Sequence, residues 1–280
     1  MTLATLAEVL RPALRDGYAV AGLVCLGWED ARAYVAAAEA ERAPVILQAG
    51  PAARAHMPVA VWGAMFRELA RAASVPVVAH LDHGASAAEC LAAIDAGFTS
   101  VMIDGAHLPY DDNVALTAEV AEAAHRAGVS CEGEIGFVGY AGGARSKGTD
   151  PAEAARFAAE TRIDALAVSV GNVHLQTLAG SGLDRKRIAA IEAAAPGVAL
   201  VIHGGSGVPP EERLALARQT AVAKVNIGTE LRQGFGAALR AVLAGDPARF
   251  DRIAILAAVE APLALAARAA IRSLGGQGRA

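Results

Sequence analysis

The sequence predicts an α/β fold, a closed (β/α)8 TIM barrel with additional C-terminal helices. Short β-branched runs alternate with alanine-rich helical stretches from one end to the other. The runs are apolar without period-two alternation, the pattern of parallel strands buried on both faces. Eight such strand–helix units follow one another without a linker, and a ring accommodates them. At 280 residues the chain matches a fold that commonly takes about 250 residues as one domain, so a single TIM-barrel domain is expected over 1–280. The competing arrangement is an open doubly wound sheet, but no Gly-rich dinucleotide fingerprint follows the first strand.

In chain order, the expected pairs begin with strand Ala19–Val24 and helix Trp28–Arg42, then Pro44–Gln48 and Pro58–Ala73, Val75–His80 and Ser86–Ala96, and Ser100–Asp104 and Val114–Ala127. They continue with Val129–Glu134 and Pro151–Thr161, Asp164–Val170 and Asp184–Ala194, Ala199–His203 and Pro209–Gln219, and Val222–Ile227 and Glu230–Leu243. Ser86 stands three residues before Glu89, the capping-box spacing. Pro58, Pro151 and Pro209 suit the first helical turn, and Gly97 and Gly128 suit helix ends. Helical material after Pro247, before the Gly-rich tail Gly275–Ala280, can cover the barrel or meet another subunit.

Composition narrows the partners. The chain is 54% hydrophobic but only 4% aromatic, which fits small-faced helices packed on a buried sheet. A net charge of −4 gives no reason to expect nucleic acid or an acidic membrane surface. It remains compatible with a small anionic substrate in a locally positive site. Cys25, Cys90 and Cys131 are too few and scattered for a disulfide scaffold and read as reduced thiols. The start, Met1 to Ala4, lacks a basic region followed by an apolar core. No uninterrupted apolar run reaches the roughly 20 residues of a membrane span. The expected location is cytoplasmic, with no membrane partner.

Chemistry gathers at the C-terminal rim of such barrels. The third strand leads into His80-Leu81-Asp82-His83-Gly84, and the fifth carries Glu132-Gly133-Glu134. The sixth runs into Gly171-Asn172-Val173-His174, and the seventh into His203-Gly204-Gly205-Ser206-Gly207. Any one of these histidines alone is more easily a packed structural residue than a ligand. At like positions in successive units, three imidazoles plus an open position form a known catalytic zinc arrangement. His80 reads as a support behind the site and His125 as a solvated helix residue, while His56 and His107 stay unassigned. The N–H groups of Gly204, Gly205 and Ser206 can converge on a phosphate, with the Ser206 hydroxyl as a further donor. Asn226-Ile227-Gly228-Thr229 after the eighth strand opens a helix beside them. Tight turns with no ligand are the plainer alternative for both glycine segments.

Several motifs, in order, carry a resemblance: Leu81-Asp82-His83-Gly84, Asp95 to Gly105, Glu132-Gly133-Glu134-Ile135-Gly136, His203 to Gly207, and Val225-Asn226-Ile227-Gly228-Thr229-Glu230. Together they resemble the class II ketose-bisphosphate aldolases, the zinc-dependent fructose- and tagatose-bisphosphate enzymes, over nearly the whole barrel. The resemblance implies Zn2+ held by His83, His174 and His203, with Asp104 and Glu134 near it as ligands of a second or monovalent cation. It implies Asp82 as the acid/base on the aldehyde-derived hydroxyl. Gly204, Gly205, Ser206, Asn226, Ile227, Gly228 and Thr229 match its phosphate- and ketose-binding loops. The implied reaction is that of a lyase on a small phosphorylated sugar through a metal-stabilised enediolate, with dihydroxyacetone phosphate as one product. The implied assembly is a homodimer or homotetramer.

The chain departs from this pattern in places. The family's mobile loop carries acids, yet Phe137 to Gly148 has no carboxylate before Asp150. Tyr140 is the substitute proton donor proposed there, and simple packing of the lid is its bland alternative. Leu23 and Leu26 stand where the family has asparagines, Ala49-Gly50 where it has a serine, and Leu175, Thr177 and Leu178 where glycine, tyrosine and lysine follow the metal histidine. Apolar replacement removes hydrogen bonds that read hydroxyl patterns, which predicts a changed substrate. A metal-dependent epimerase, isomerase or retro-aldolase for another sugar or sugar acid is the alternative enzyme. A catalytically silent metabolite-binding barrel is the alternative without turnover.

Overall fold

Parallel pairing runs in sequence order around a ring, and the first strand closes on the last. The computed structural model describes residues 2–176 and 182–280. Its strands are β1 (Val20–Val24), β2 (Val45–Ala49), β3 (Val77–Gly84), β4 (Ser100–Ile103), β5 (Ser130–Ile135), β6 (Ala165–Val168), β7 (Ala199–Ile202) and β8 (Val222–Ile227). Gly22 and Leu23 pair with Asn226 and Ile227 to shut the barrel. The expected TIM barrel is the observed fold, and the strand ends shift by a few residues.

Two apolar layers hold it. Ile46, Val78, Met102, Ala167, Val201 and Ala223 fill the interior. The outward strand residues Leu23, Leu47, Val101, Leu166 and Ile202 pack under the surrounding helices. Helix α1 (Leu6–Asp16) was not among the expected elements, although Thr5 and Glu8 form a full capping box. Its Leu6, Val9, Leu10 and Ala13 join the interior cluster and plug the floor of the barrel. Helices α2 (Trp28–Glu41) and α4 (Val59–Ala72) flank a short α3 (Pro51–His56), also unexpected. Then come α5 (Ala87–Asp95), α6 (Tyr110–Arg126), α7 (Pro151–Thr161), α8 (Arg185–Ala194), α9 (Pro210–Gln219), α10 (Thr229–Gly245) and α11 (Arg252–Ser273). Ser86 Oγ accepts the Glu89 N–H as expected, and Gly97 and Gly128 take left-handed φ values of 86° and 72°.

The expected material after Pro247 is α11, which lies against α2 and α10. By length and composition this 22-residue helix is apolar enough to cross a membrane. Here Val259, Leu263, Ala267, Ala270 and Ile271 are buried against the barrel. Its Glu260 pairs with Arg32, and its Arg268 and Arg272 reach the buried Glu41 of α2 at 2.6 and 2.8 Å.

Candidate metal centre

The end of β3 sets the geometry. Successive strand side chains point to opposite faces, yet Asp82 and His83 both line one cavity. The register shifts between Leu81 and Gly84, and His83 sits at φ 51°. This local irregularity, of the kind that re-aims side chains beside active sites, turns both residues to the mouth. Arg54 of α3 holds it in place: Nη1 donates to the carbonyls of Ala49 (2.5 Å) and Asp82 (2.6 Å), Nη2 to that of His83 (2.8 Å), and Nε to Glu89 (2.7 Å).

Three rings converge there. The centroids of His83 and His203 are 4.7 Å apart, those of His83 and His174 5.2 Å, and those of His174 and His203 5.6 Å. Each offers a ring nitrogen within 4.8 Å of the others, and His83, Asp104 and Glu134 form a second such group. The far side of each anchored ring fixes which nitrogen faces inward. His83 Nδ1 is bound to Asp104 Oδ2 at 2.7 Å and His203 Nε2 to Glu132 Oε1 at 3.0 Å. That leaves His83 Nε2, His203 Nδ1 and Glu134 Oε2 buried without a hydrogen bond among the described residues, the last two 3.5 Å apart. Carboxylates behind ligand histidines are the usual supporting pattern of metal sites. A divalent cation fits the orphaned atoms and the donor set.

The electrostatics agree. Burial opposes charge on His83, but Asp82, Asp104 and Glu134 around it outweigh that and raise it to about 9. Burial raises Glu134 to about 8. Burial also works against ionised Asp104, yet its bond to His83 brings it down to about 2. Burial, then the charge on His83, lowers His174 to about 4 and holds His203 well below its ordinary value.

Beneath this layer lies a polar chain that sequence reasoning met only at its ends. Lys224 Nζ, fully buried, donates to Glu132 Oε2 at 2.5 Å and lies 3.2 Å from His80 Nε2. His80 Nδ1 meets Ser100 Oγ at 2.8 Å. His80 thus stands behind the site as expected. A lysine inside the apolar strand Val222–Ile227 was the readable signal for this chain. His125 lies on α6 and meets Asp164 at 2.9 Å.

The cavity, about 280 Å³, is lined by Asp82, His83, Tyr140, His174, Gly204, Ser206, Asn226, Gly228 and Thr229 among others. Asn226 Nδ2 donates to Asp82 Oδ1 at 3.3 Å. Gly204 has φ 66°, and a Cβ there would stand 2.2 Å from the Val173 carbonyl oxygen. Gly205 and Ile227 sit in the wall rather than on its surface; both are buried. Ser206 Oγ accepts the N–H groups of Gly228 and Glu230 at 3.3 and 3.2 Å, and its own proton stays available. The Thr229 N–H, in the first turn of α10, has no intrahelical acceptor. Arg213, another residue the sequence reading missed, ties the Gly205 carbonyl (3.1 Å) to Glu230 (2.6 Å) and clamps the two loops together.

The loop after β5 folds back on itself through Phe137 and Lys147 and bridges His174 at Tyr140. The Tyr140 ring stacks on His174 at 4.9 Å. Burial, with Asp104, Glu134 and Asp82 adding to it, raises its phenol above the ordinary value. Of the apolar replacements, Leu26, Gly50 and Leu175 line the cavity, but Leu23 does not: it faces outward into the core and Val24 takes its place. Thr177 and Leu178 lie outside the described residues.

Comparison with known proteins finds aldolases. A family model described as class-II fructose-bisphosphate aldolase matches residues 4–279. The 6-phospho-5-dehydro-2-deoxy-D-gluconate aldolase of Bacillus velezensis is 42% identical over 240 residues, 82% of this chain and 81% of that protein. The fructose-bisphosphate aldolase of Geobacillus stearothermophilus is 36% identical over 289 residues, covering 100% of this chain and 99% of that one. The crystal structure of the YdjI aldolase from Escherichia coli K12 superposes with a TM-score of 0.86 at 28% identity, over 99% of both chains. With the family model spanning nearly every residue and the histidines, carboxylates and glycine loops gathered at one mouth, the chain belongs to the class II fructose-bisphosphate aldolase family.

Proposed function

We propose that this aldolase makes and breaks a carbon–carbon bond in a ketose phosphate, with zinc held by His83, His174 and His203 and dihydroxyacetone phosphate as one product. The observation that carries it is the convergence of ring nitrogens of His83, His174 and His203 within 4.8 Å of one another beside Asp82, two of them, His83 Nε2 and His203 Nδ1, buried without a hydrogen bond among the described residues. Three imidazoles and an open position suit zinc, which supplies Lewis-acid polarisation of the ketose carbonyl. Asp104 and Glu134, which gather beside His83, offer a second or monovalent cation position.

The protein's own groups do the rest. In cleavage, Asp82 takes the proton from the hydroxyl on the carbon that becomes the aldehyde. The bond to the neighbouring carbon breaks, and its electron pair stays on the ketone side. That carbon then receives a proton, for which Tyr140 is the donor, and exchange with solvent afterwards removes the proton from Asp82 and restores the one on the Tyr140 phenol. Condensation runs the same transfers backwards. The phosphate lies against Gly204, Gly205, Ser206 and the loop from Asn226 to Thr229. There N–H groups, the Ser206 hydroxyl and the helix N-terminus attract it. Asn226 keeps Asp82 aimed at the substrate through its 3.3 Å bond. Exposed Phe250 and Ile253 support association of copies, as a homodimer or homotetramer, and the three buried free cysteines suit a reducing, cytoplasmic setting.

The test is release of a triose phosphate from a panel of ketose phosphates. Chelation should abolish it and zinc should restore it. Turnover indifferent to chelation, or a chain that binds no zinc, would overturn the reading.

A further inference from the structure

Gln48 of β2 lies two residues beyond the interior Ile46 and so points into the barrel. It is fully buried. Among the described residues it is the one side chain with two buried polar atoms, Oε1 and Nε2, that make no hydrogen bond. Gly22 of β1 makes room for it. That residue pairs with Ile46 on one side and Asn226 on the other, and its φ is not left-handed. The glycine therefore answers to space rather than to backbone freedom. A Cβ there would stand 1.8 Å from Gln48 Oε1 and 2.7 Å from Asn226 Oδ1. The two carboxamides thus meet over Gly22, and Asn226 Oδ1 is also buried without a hydrogen bond among the described residues. Asn226 lines the cavity and Gln48 does not.

Asn226 Nδ2 donates to Asp82 Oδ1 at 3.3 Å. A carboxamide held at its nitrogen alone still swings about its last bond, and the carboxylate it holds moves with it. Held at both ends, it has one orientation. The two ends of the Gln48 amide exchange places with half a turn about the Cγ–Cδ bond, which sets an NH2 against the Asn226 oxygen. We propose that Gln48 is a positioning residue: its NH2 holds Asn226 Oδ1, and Asn226 so held keeps Asp82 aimed at the hydroxyl whose proton it takes. This rests on the aldolase reading above and adds to it a residue that touches no substrate. The competing use of Gln48 is as a further member of the polar chain of Lys224 and His80, since His80 is its register partner on β3.

The zinc-loaded protein is labelled with 15N-asparagine, and the Asn226 side-chain NH2 signals are identified by their loss in Asn226→Ala. Gln48→Met keeps the length of the side chain and removes both polar atoms. In it the Asn226 signals should shift or broaden, kcat should fall about tenfold, and KM should stay within about twofold. Metal-free Gln48→Met should be at least as stable to denaturant as the wild type, because two buried polar atoms without hydrogen bonds leave the interior. In the Asn226→Ala background Gln48→Met should have no further effect on kcat, since the two side chains act in series. Gly22→Ala, whose Cβ pushes the two amides aside, should also lower kcat at unchanged zinc content. Unmoved Asn226 signals in Gln48→Met overturn the proposal, as does a kcat loss that repeats in full in the Asn226→Ala background. A marked loss of stability with kcat intact would assign Gln48 to the polar chain of Lys224 and His80 and overturn it too. If the wild type neither releases a triose phosphate nor exchanges solvent hydrogen into dihydroxyacetone phosphate, the aldolase reading fails. The Asn226 signals, which need no turnover, then still decide whether Gln48 holds Asn226.

Discussion

Two polar layers sit a few ångströms apart in this barrel, and they differ in what completes them. In the lower one, Lys224, Glu132, His80 and Ser100 satisfy one another out of water. In the upper one, His83 Nε2, His203 Nδ1, Glu134 Oε2 and Asn226 Oδ1 are as deeply buried and make no hydrogen bond among the described residues, although His203 Nδ1 and Glu134 Oε2 stand 3.5 Å apart. Unmade hydrogen bonds at buried atoms are costly, and four of the buried atoms that lack one gather in this layer. The lower layer is finished by the chain itself. The upper layer offers its open histidine and carboxylate atoms to the cation proposed above. Glu132 joins them, since one of its oxygens takes Lys224 and the other His203.

Breaking each layer should therefore show in different measurements. The largest effect belongs to the upper one: Asp82→Asn should lower kcat by about 10²–10⁴ while leaving zinc content and thermal midpoint close to wild type. A variant that loses its fold along with its activity would show that Asp82 belongs to the lower kind of layer. Lys224→Met should do the reverse. It strands the Glu132 charge in the interior, a change worth roughly 3–5 kcal/mol, read by denaturant unfolding of the metal-free protein. Adding Glu132→Gln to Lys224→Met should return a good part of that loss, because the stranded charge goes with it. If the double variant is no more stable than the single one, the ion pair is not what holds the layer.

Arg54 separates positioning from stability. Its guanidinium fixes the carbonyls on either side of the left-handed His83. Arg54→Met should weaken zinc binding by about 10–100-fold, the usual scale for groups that support a ligand, as read by competition with a chromophoric chelator. Arg54→Lys keeps the charge but not the fork and should recover little. Zinc affinity unchanged in Arg54→Met would show that the bulge holds without it.

These residues also mark what the sequence discloses. The ring of strands was legible because buried parallel strands read as apolar runs. The three histidines and Asp82 were legible because rim residues follow directly on those runs. Arg54 and Arg213 were not, because their partners are backbone carbonyls and distant acids that only the folded chain brings near. The bulge at His83 left no mark either: nothing in Leu81-Asp82-His83-Gly84 announces a left-handed histidine. Helix α1 was legible through Thr5 and Glu8, yet a reading tuned to alternating strands and helices begins at the first strand and passes over it. Leu23 was misplaced by one residue, enough in a strand to reverse its face.

The smallest effect is on pH, and it tests the upper layer without any substitution. In the metal-free chain, the surrounding carboxylates raise His83 to about 9, above the ordinary 6.5. A base raised on folding contributes stability below its unfolded pKa, and that contribution is lost as pH climbs through the folded one. Glu134, raised by burial to about 8 from 4.5, acts in the same direction, since the unfolded carboxyl ionises first as pH rises. Metal-free protein should therefore lose stability steadily from about pH 6.5 to 9. Zinc bound as proposed would change the balance, because it would require His83 neutral at the bound nitrogen and would expel the proton. The loaded protein should show a flatter profile over the same range. Binding near pH 7.5 should release protons, read as a buffer-dependent heat in titration calorimetry. A metal-free profile that is flat or rising would mean that the carboxylates do not charge His83, and that the empty upper layer is held together by something other than the proton that zinc replaces.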